Sequence, residues 1–189
     1  TQDNVMVWDT LAIAENLNEI KPKAGLLPAD RAARAHCRAI CGEMHSGFAS
    51  LRAALPMNIK AHFPGFKIWS RAQGDIDRVI EIWRDCLSTY GGPYLFGKTL
   101  TMADAMYAPV CMRFATYDVP IDAGAAAYCR TIMDWAPLKE WIAAAKAKAA
   151  MHRPKRWSTA RRCTSCSCRK STTPTATSAS SAARPSRPH

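Results

Sequence analysis

Between Asp30 and Pro56 the apolar residues Cys37, Ile40, Cys41, Met44, Phe48, Leu51 and Leu55 follow one another at steps of three, one, three, four, three and four. That spacing keeps them on one face of a helix, whereas the period of two of a strand would scatter them. With Asp30 as N-cap and Pro56 as stop, it predicts one continuous helix over about 30–55 carrying a buried stripe. Such a stripe needs other helical faces to cover it, and the chain supplies them. Asp9 caps a helix over Thr10–Ile20, in which Ile13, Leu17 and Ile20 recur at steps of four and three. A further helix from about Gly74 to Tyr90 sets Ile76, Val79, Ile80, Trp83, Leu87 and Tyr90 on one side and ends at Gly91-Gly92-Pro93. Shorter helices are expected over about Ala123–Asp134 and Pro137–Ala147. The one convincing strand candidate is Val5–Trp8, and a lone strand cannot satisfy its backbone.

Thr101-Met-Ala-Asp104 has the spacing of a capping box. The Thr101 hydroxyl can accept from the amide three residues on while the Asp104 carboxylate reaches back to the amide of Thr101, and each satisfies a donor otherwise orphaned at a helix start. Thr101 and Asp104 are therefore read as structural capping residues of a helix from Met102 to about Tyr117. Pro109 lies inside that helix, where its missing amide predicts a kink.

The charge of +11 is unevenly placed. Residues 1–150 hold seventeen Lys and Arg against all fifteen acids, while 151–189 hold nine Lys and Arg, no acid, and no Ile, Leu, Val or Phe. A segment of that composition cannot bury enough apolar area to offset its ordering entropy, so 151–189 is read as a disordered basic tail. Its cations can contact phosphates, but Trp157 is its one aromatic, which leaves no stacking ladder for nucleic acid. An extension not native to the fold would have the same composition, and both readings of the tail stand. Cys163-x-x-Cys166-x-Cys168 is half of a zinc motif without its second ligand pair, and no metal site is expected in the body either. The other five cysteines sit singly in apolar helical patterns and read as buried free thiols. No run of about 18 apolar residues could span a bilayer and the N-terminus lacks a signal-peptide layout. The expectation is an intracellular, cytoplasmic chain with no membrane partner.

Three segments carry a resemblance: Val7-Trp-Asp-Thr-Leu-Ala-Ile-Ala-Glu-Asn-Leu17, Glu43-Met-His-Ser-Gly-Phe-Ala-Ser-Leu-Arg52 and Phe96-Gly-Lys-Thr-Leu-Thr-Met-Ala-Asp-Ala-Met-Tyr-Ala-Pro109. Over about residues 5–148 the chain resembles the soluble glutathione transferases, in a bacterial branch similar to maleylacetoacetate-isomerase-like members. The third segment holds the family's helix-capping signature. The resemblance implies an all-α fold, a glutathione-transferase C-terminal-like helical bundle with a remnant of the thioredoxin-like half. In that reading 1–22 is the remnant, 23–150 the helical domain and 151–189 the tail.

The same resemblance implies glutathione as co-substrate, its thiol attacking a small electrophile in conjugation or isomerisation. Asp9-Thr10 stands where the family places an acidic residue or Gln followed by Ser, at the helix that binds the γ-glutamyl arm. Asp9 and Thr10 are therefore the glutathione-binding candidates, and Met44, Phe48, Tyr107, Met112 and Arg113 the candidate lining of the electrophile pocket, with Arg113 placed to clamp a carboxylate. A plain N-cap, core packing and an exposed helix arginine are the ordinary readings of these residues. The family's catalytic Tyr, Ser or Cys belongs to the thioredoxin-like half, so no catalytic residue is assigned and the chain acting alone is expected to be truncated and inactive. The alternative is a non-catalytic helical module that binds a partner or forms a homodimer, with the basic tail contacting nucleic acid.

Overall fold

The computed structural model describes residues 4–151. The tail from residue 152 onward, with its cysteine motif, lies outside the described residues. Among the described residues seven helices run in chain order: α1 (Thr10–Ile20), α2 (Arg31–Ser46), α3 (Ala49–Ala54), α4 (Ser70–Tyr90), α5 (Met102–Thr116), α6 (Ala123–Met133) and α7 (Ala136–Met151), with a short 3-10 turn at Pro22–Ala24. No helix among them is long and apolar enough to cross a membrane. The all-α architecture is as the sequence implies. Val5–Trp8, however, forms no strand among the described residues beyond a single β-bridge at Val5, and Val5, Met6 and Trp8 are exposed.

The stripe from Cys37 to Leu55 is buried at all seven positions, but the helix beneath it is not continuous. It breaks between α2 and α3, where Gly47 caps α2 through its amide on Glu43 O at 2.8 Å and Phe48 takes a left-handed φ of 57°. A Cβ on Gly47 would sit 2.6 Å from Glu43 O, so glycine is required there. Groups freed by the break find partners from elsewhere. The Arg52 guanidinium donates to Met44 O and Gly47 O, and the Asp75 carboxylate of α4 accepts from the Leu51 amide at 2.8 Å, capping α3 from outside. α4 begins at Ser70, a turn before Gly74, which the helix absorbs. α7 likewise runs on to Met151.

α5 is apolar nearly all round and lies against α2 and α6 at the centre of the bundle. Its start is fixed by Asp104, which is fully buried. Oδ2 accepts from the Thr101 amide at 2.8 Å and the Thr101 hydroxyl at 3.0 Å, completing the capping box. Oδ1 accepts from the Leu95 amide at 3.0 Å and the Tyr128 hydroxyl of α6 at 3.2 Å. Around this hub Trp83 of α4 packs tilted or edge-on against Tyr107, Phe114 and Tyr128. The helix continues through Pro109.

Cys37, Cys41, Cys86, Cys111 and Cys129 are all unbridged and buried. Burial pushes Cys86 up to about 12 and Cys111 well above the ordinary thiol range, and the hydrogen bond with Cys37 does the same to Cys41.

Replacing Asp104 by Ala takes this acceptor from two amides and from the Thr101 and Tyr128 hydroxyls in the core. At roughly 1–3 kcal/mol for each buried unsatisfied group, Asp104→Ala should cost about 3 kcal/mol or more. For a chain of this size that is a fall in Tm of about 10 °C, read by thermal circular dichroism; an unchanged Tm would refute the hub. The thiols give a second check. Iodoacetamide at mildly alkaline pH should leave Cys37, Cys41, Cys86 and Cys111 unmodified in the folded protein and label all four in guanidinium, as mapped by peptide mass, because all four are inaccessible and Cys41, Cys86 and Cys111 are also held protonated.

Candidate functional site

α1 is short and exposes most of its surface, and no residue in it is fully buried. What shapes its start is Asp9. Oδ1 accepts from the Leu11 amide at 2.9 Å and the Ala12 amide at 3.5 Å, an N-cap as the sequence suggests. The residue takes φ 77°, unusual for a side chain with a Cβ. Its other oxygen, Oδ2, lies 3.0 Å from Nε2 of His45 in the last turn of α2. The Leu11 amide, reinforced by the Ala12 amide and by His45, holds the Asp9 carboxyl below the usual carboxylate range. Thr10 follows as the first helical residue and is exposed.

Two further contacts fix this helix against α2. Arg38 grips Glu15 with a two-pronged ion pair at 2.6 and 2.9 Å, which lowers the Glu15 pKa. Leu11 and Ala14 pack on the edge of the core. The first turn of α1, whose Leu11, Ala12 and Ile13 amides are already taken by Asp9, thus brings a carboxylate and an exposed hydroxyl together at one place. The helix dipole and the Thr10 hydroxyl favour an anion and the carboxylate favours a cation, so the set suits a molecule bearing an ammonium and a carboxylate on neighbouring atoms.

His45 does not emerge from the sequence as part of this constellation. No spacing rule links residues so far apart in the chain, and its place within Glu43–Arg52 was the one available signal.

The five pocket candidates do not converge. Met44, Phe48 and Tyr107 are buried in the core cluster. The Tyr107 hydroxyl donates to Ile40 O at 3.2 Å, and burial raises its pKa. Arg113 donates through Nε to Leu55 O at 2.9 Å and through Nη1 to Pro109 O at 3.0 Å, fastening α3 to α5. Met112 borders a separate groove of about 200 Å³ with Ile59, His62, Met133, Ile142 and Lys146. A larger groove of about 460 Å³ lies between α2 and α4, lined by His36, Arg78, Glu81, Arg84 and Asp85. Its arginines are already paired, Arg78 with Glu43 and Glu81 at 2.8 Å each and Arg84 with Asp122 at 3.0 Å.

Residues 31–144, well over half of the chain, match the family described as "Glutathione S-transferase, C-terminal domain". Among solved structures, a glutathione transferase homolog from Burkholderia gl BGR1, determined with bound glutathione, superposes with a TM-score of 0.56. It is 21% identical over 78% of this chain and 71% of its own. A glutathione S-transferase from Rhodospirillum rubrum gives a TM-score of 0.54 at 19% identity, covering 73% of this chain and 66% of its own. At these identities the likeness is one of fold. Among curated proteins none matches in sequence. The matched region takes in α2 to α6 with the capping box at its centre, and the chain therefore belongs to the glutathione S-transferase family through that C-terminal helical domain.

Proposed function

We propose that this chain serves glutathione-dependent chemistry, with glutathione as co-substrate in the conjugation or isomerisation of a small electrophile, in a cytoplasmic protein of the maleylacetoacetate-isomerase-like branch. In this reading 1–22 is the end of a thioredoxin-like half and 23–150 the helical domain. The observation that carries it is the start of α1, where Asp9 is held by two helix amides on one oxygen and by His45 on the other. The γ-glutamyl ammonium would meet the Asp9 carboxylate. The neighbouring carboxylate would meet the Thr10 hydroxyl and the first turn of α1. His45 acts behind Asp9 as a positioning residue. Met44 and Phe48 flank His45 in the chain and are the pocket residues this reading favours, while Tyr107 and Arg113 have their donors engaged on backbone carbonyls.

A second reading, a helical module that docks a partner or a second copy, draws on the exposed apolar residues Val5, Met6, Trp8, Ile13 and Leu17.

The test is a calorimetric titration of the 189-residue chain with glutathione, with aryl-halide conjugation assayed on the same sample. Binding is expected, and Asp9→Ala should weaken it about ten-fold or more, the worth of a hydrogen bond to a charged group. The pH dependence has a definite sign. Because the folded Asp9 pKa is depressed, the ionised form persists from neutral into acid. Its contribution to affinity should hold across that range and be lost only as pH falls through the lowered value. Absence of glutathione binding, or equal binding by Asp9→Ala, would overturn the assignment.

A further inference from the structure

The connection between α3 and α4 exposes what a soluble surface ordinarily hides. Every residue from His62 to Lys67 is exposed, around a turn in which Gly65 has φ 67°. Phe63, Phe66 and Trp69 follow at three-residue steps and are 40%, 37% and 69% exposed. Interleaved with them are Lys60, Lys67 and Arg71, none of which joins an ion pair among the described residues. From residue 44 to residue 74 the chain contains no Asp or Glu. The acid that reaches this loop from α5's end, Asp118, is engaged by His62 at 2.8 Å and does not offset those three cations.

The segment is held in place. The Phe63 amide donates to Thr116 O at 2.7 Å, the Thr116 hydroxyl to Asn58 O at 3.1 Å and the Tyr117 hydroxyl to Pro56 O at 2.9 Å. The Phe63 and Phe66 rings lean on Tyr117 at 5.3 and 4.9 Å. Phe63 and Phe66 are thus fixed on this connection, with Lys60 and Lys67 along it and Trp69 and Arg71 at the start of α4.

We infer that this loop is a docking surface for an anionic lipid bilayer. Aromatic rings settle at the headgroup level, where one end is apolar and the other wet. Lysine and arginine stems can lie along the apolar layer while their charges reach anionic headgroups. Nucleic acid fits less well, because the Phe63 face is already stacked on Tyr117 at an interplanar angle of 21°, and bases need free ring faces. A protein partner that adds a strand would need a sheet edge, and there is no strand among the described residues. The expectation of no membrane partner rested on the lack of a spanning segment, which a peripheral surface does not require. The inference is independent of the glutathione reading.

The experiment is co-sedimentation of the full chain with phosphatidylcholine vesicles, with and without phosphatidylserine, at low and high salt. High salt screens purely ionic contacts, including those of the basic tail. Two variants are compared, Phe66→Ser with Trp69→Ser, and Lys60→Glu with Lys67→Glu. Wild type should partition about ten-fold or more in favour of the phosphatidylserine vesicles, in keeping with the attraction of several cations. A salt-resistant fraction should remain, lost in the aromatic variant while its helical circular dichroism shows it still folded, and the charge-reversal variant should lose the lipid preference. Brominated lipid should quench wild-type fluorescence more than that of Trp69→Phe. If neither vesicle is bound, if both variants bind as wild type, or if the variants lose single-stranded DNA binding with vesicle binding unaltered, the inference is wrong.

Discussion

A carboxylate without solvent contact is costly unless every lone pair is met, and the bundle meets that demand at Asp104 with donors from three separate places. One is the loop at Leu95, one is the start of α5 at Thr101, and one is Tyr128 on α6. These elements cannot be placed independently of one another once α5 is in the core. From there the dependence runs outward. Tyr128 packs on Trp83, Trp83 on Tyr107, and the Tyr107 hydroxyl holds the Ile40 carbonyl of α2. The last turn of α2 then carries His45 to Asp9. The geometry of the exposed site thus derives, through one chain of packed aromatics and hydrogen bonds, from a cap buried in the middle of the protein.

How much of this can be read from sequence depends on whether the cause is local. The capping box is a four-residue pattern with one stereochemical outcome, and the stripe from Cys37 to Leu55 is a period that only a helix can bury. The break at Gly47 was hidden because hydrophobic period averages over turns. A stripe survives when one residue adopts a left-handed backbone and the helix resumes, as it does after Phe48. The caps that make the break tolerable, Asp75 on Leu51 and Arg52 on Met44 and Gly47, come from outside the local segment or run against its direction. Asp9 was legible as a cap because its partners lie two and three residues ahead. Its contact with His45 was not, because it exists only once α1 has docked on α2.

That docking is of a different kind from the rest of the bundle. α1 buries no residue fully and leaves Ile13 and Leu17 exposed, so it has little of the apolar burial that holds α4 or α5. In its place stand two partly exposed polar contacts, the ion pair of Glu15 with Arg38, of a class weakened by salt, and the contact of Asp9 with His45. Segments so held open at lower free energy than the core around them. Asp9 and Thr10 therefore lie on a helix that buries no residue, while His45 lies on one that buries five. A ligand bridging the α1 start must hold the two together, and by mass action whatever it gains from the docked arrangement stabilises the docking of α1 in return. Binding strength at this site is then set by the docking equilibrium of α1 as well as by the contacts of Asp9 and Thr10.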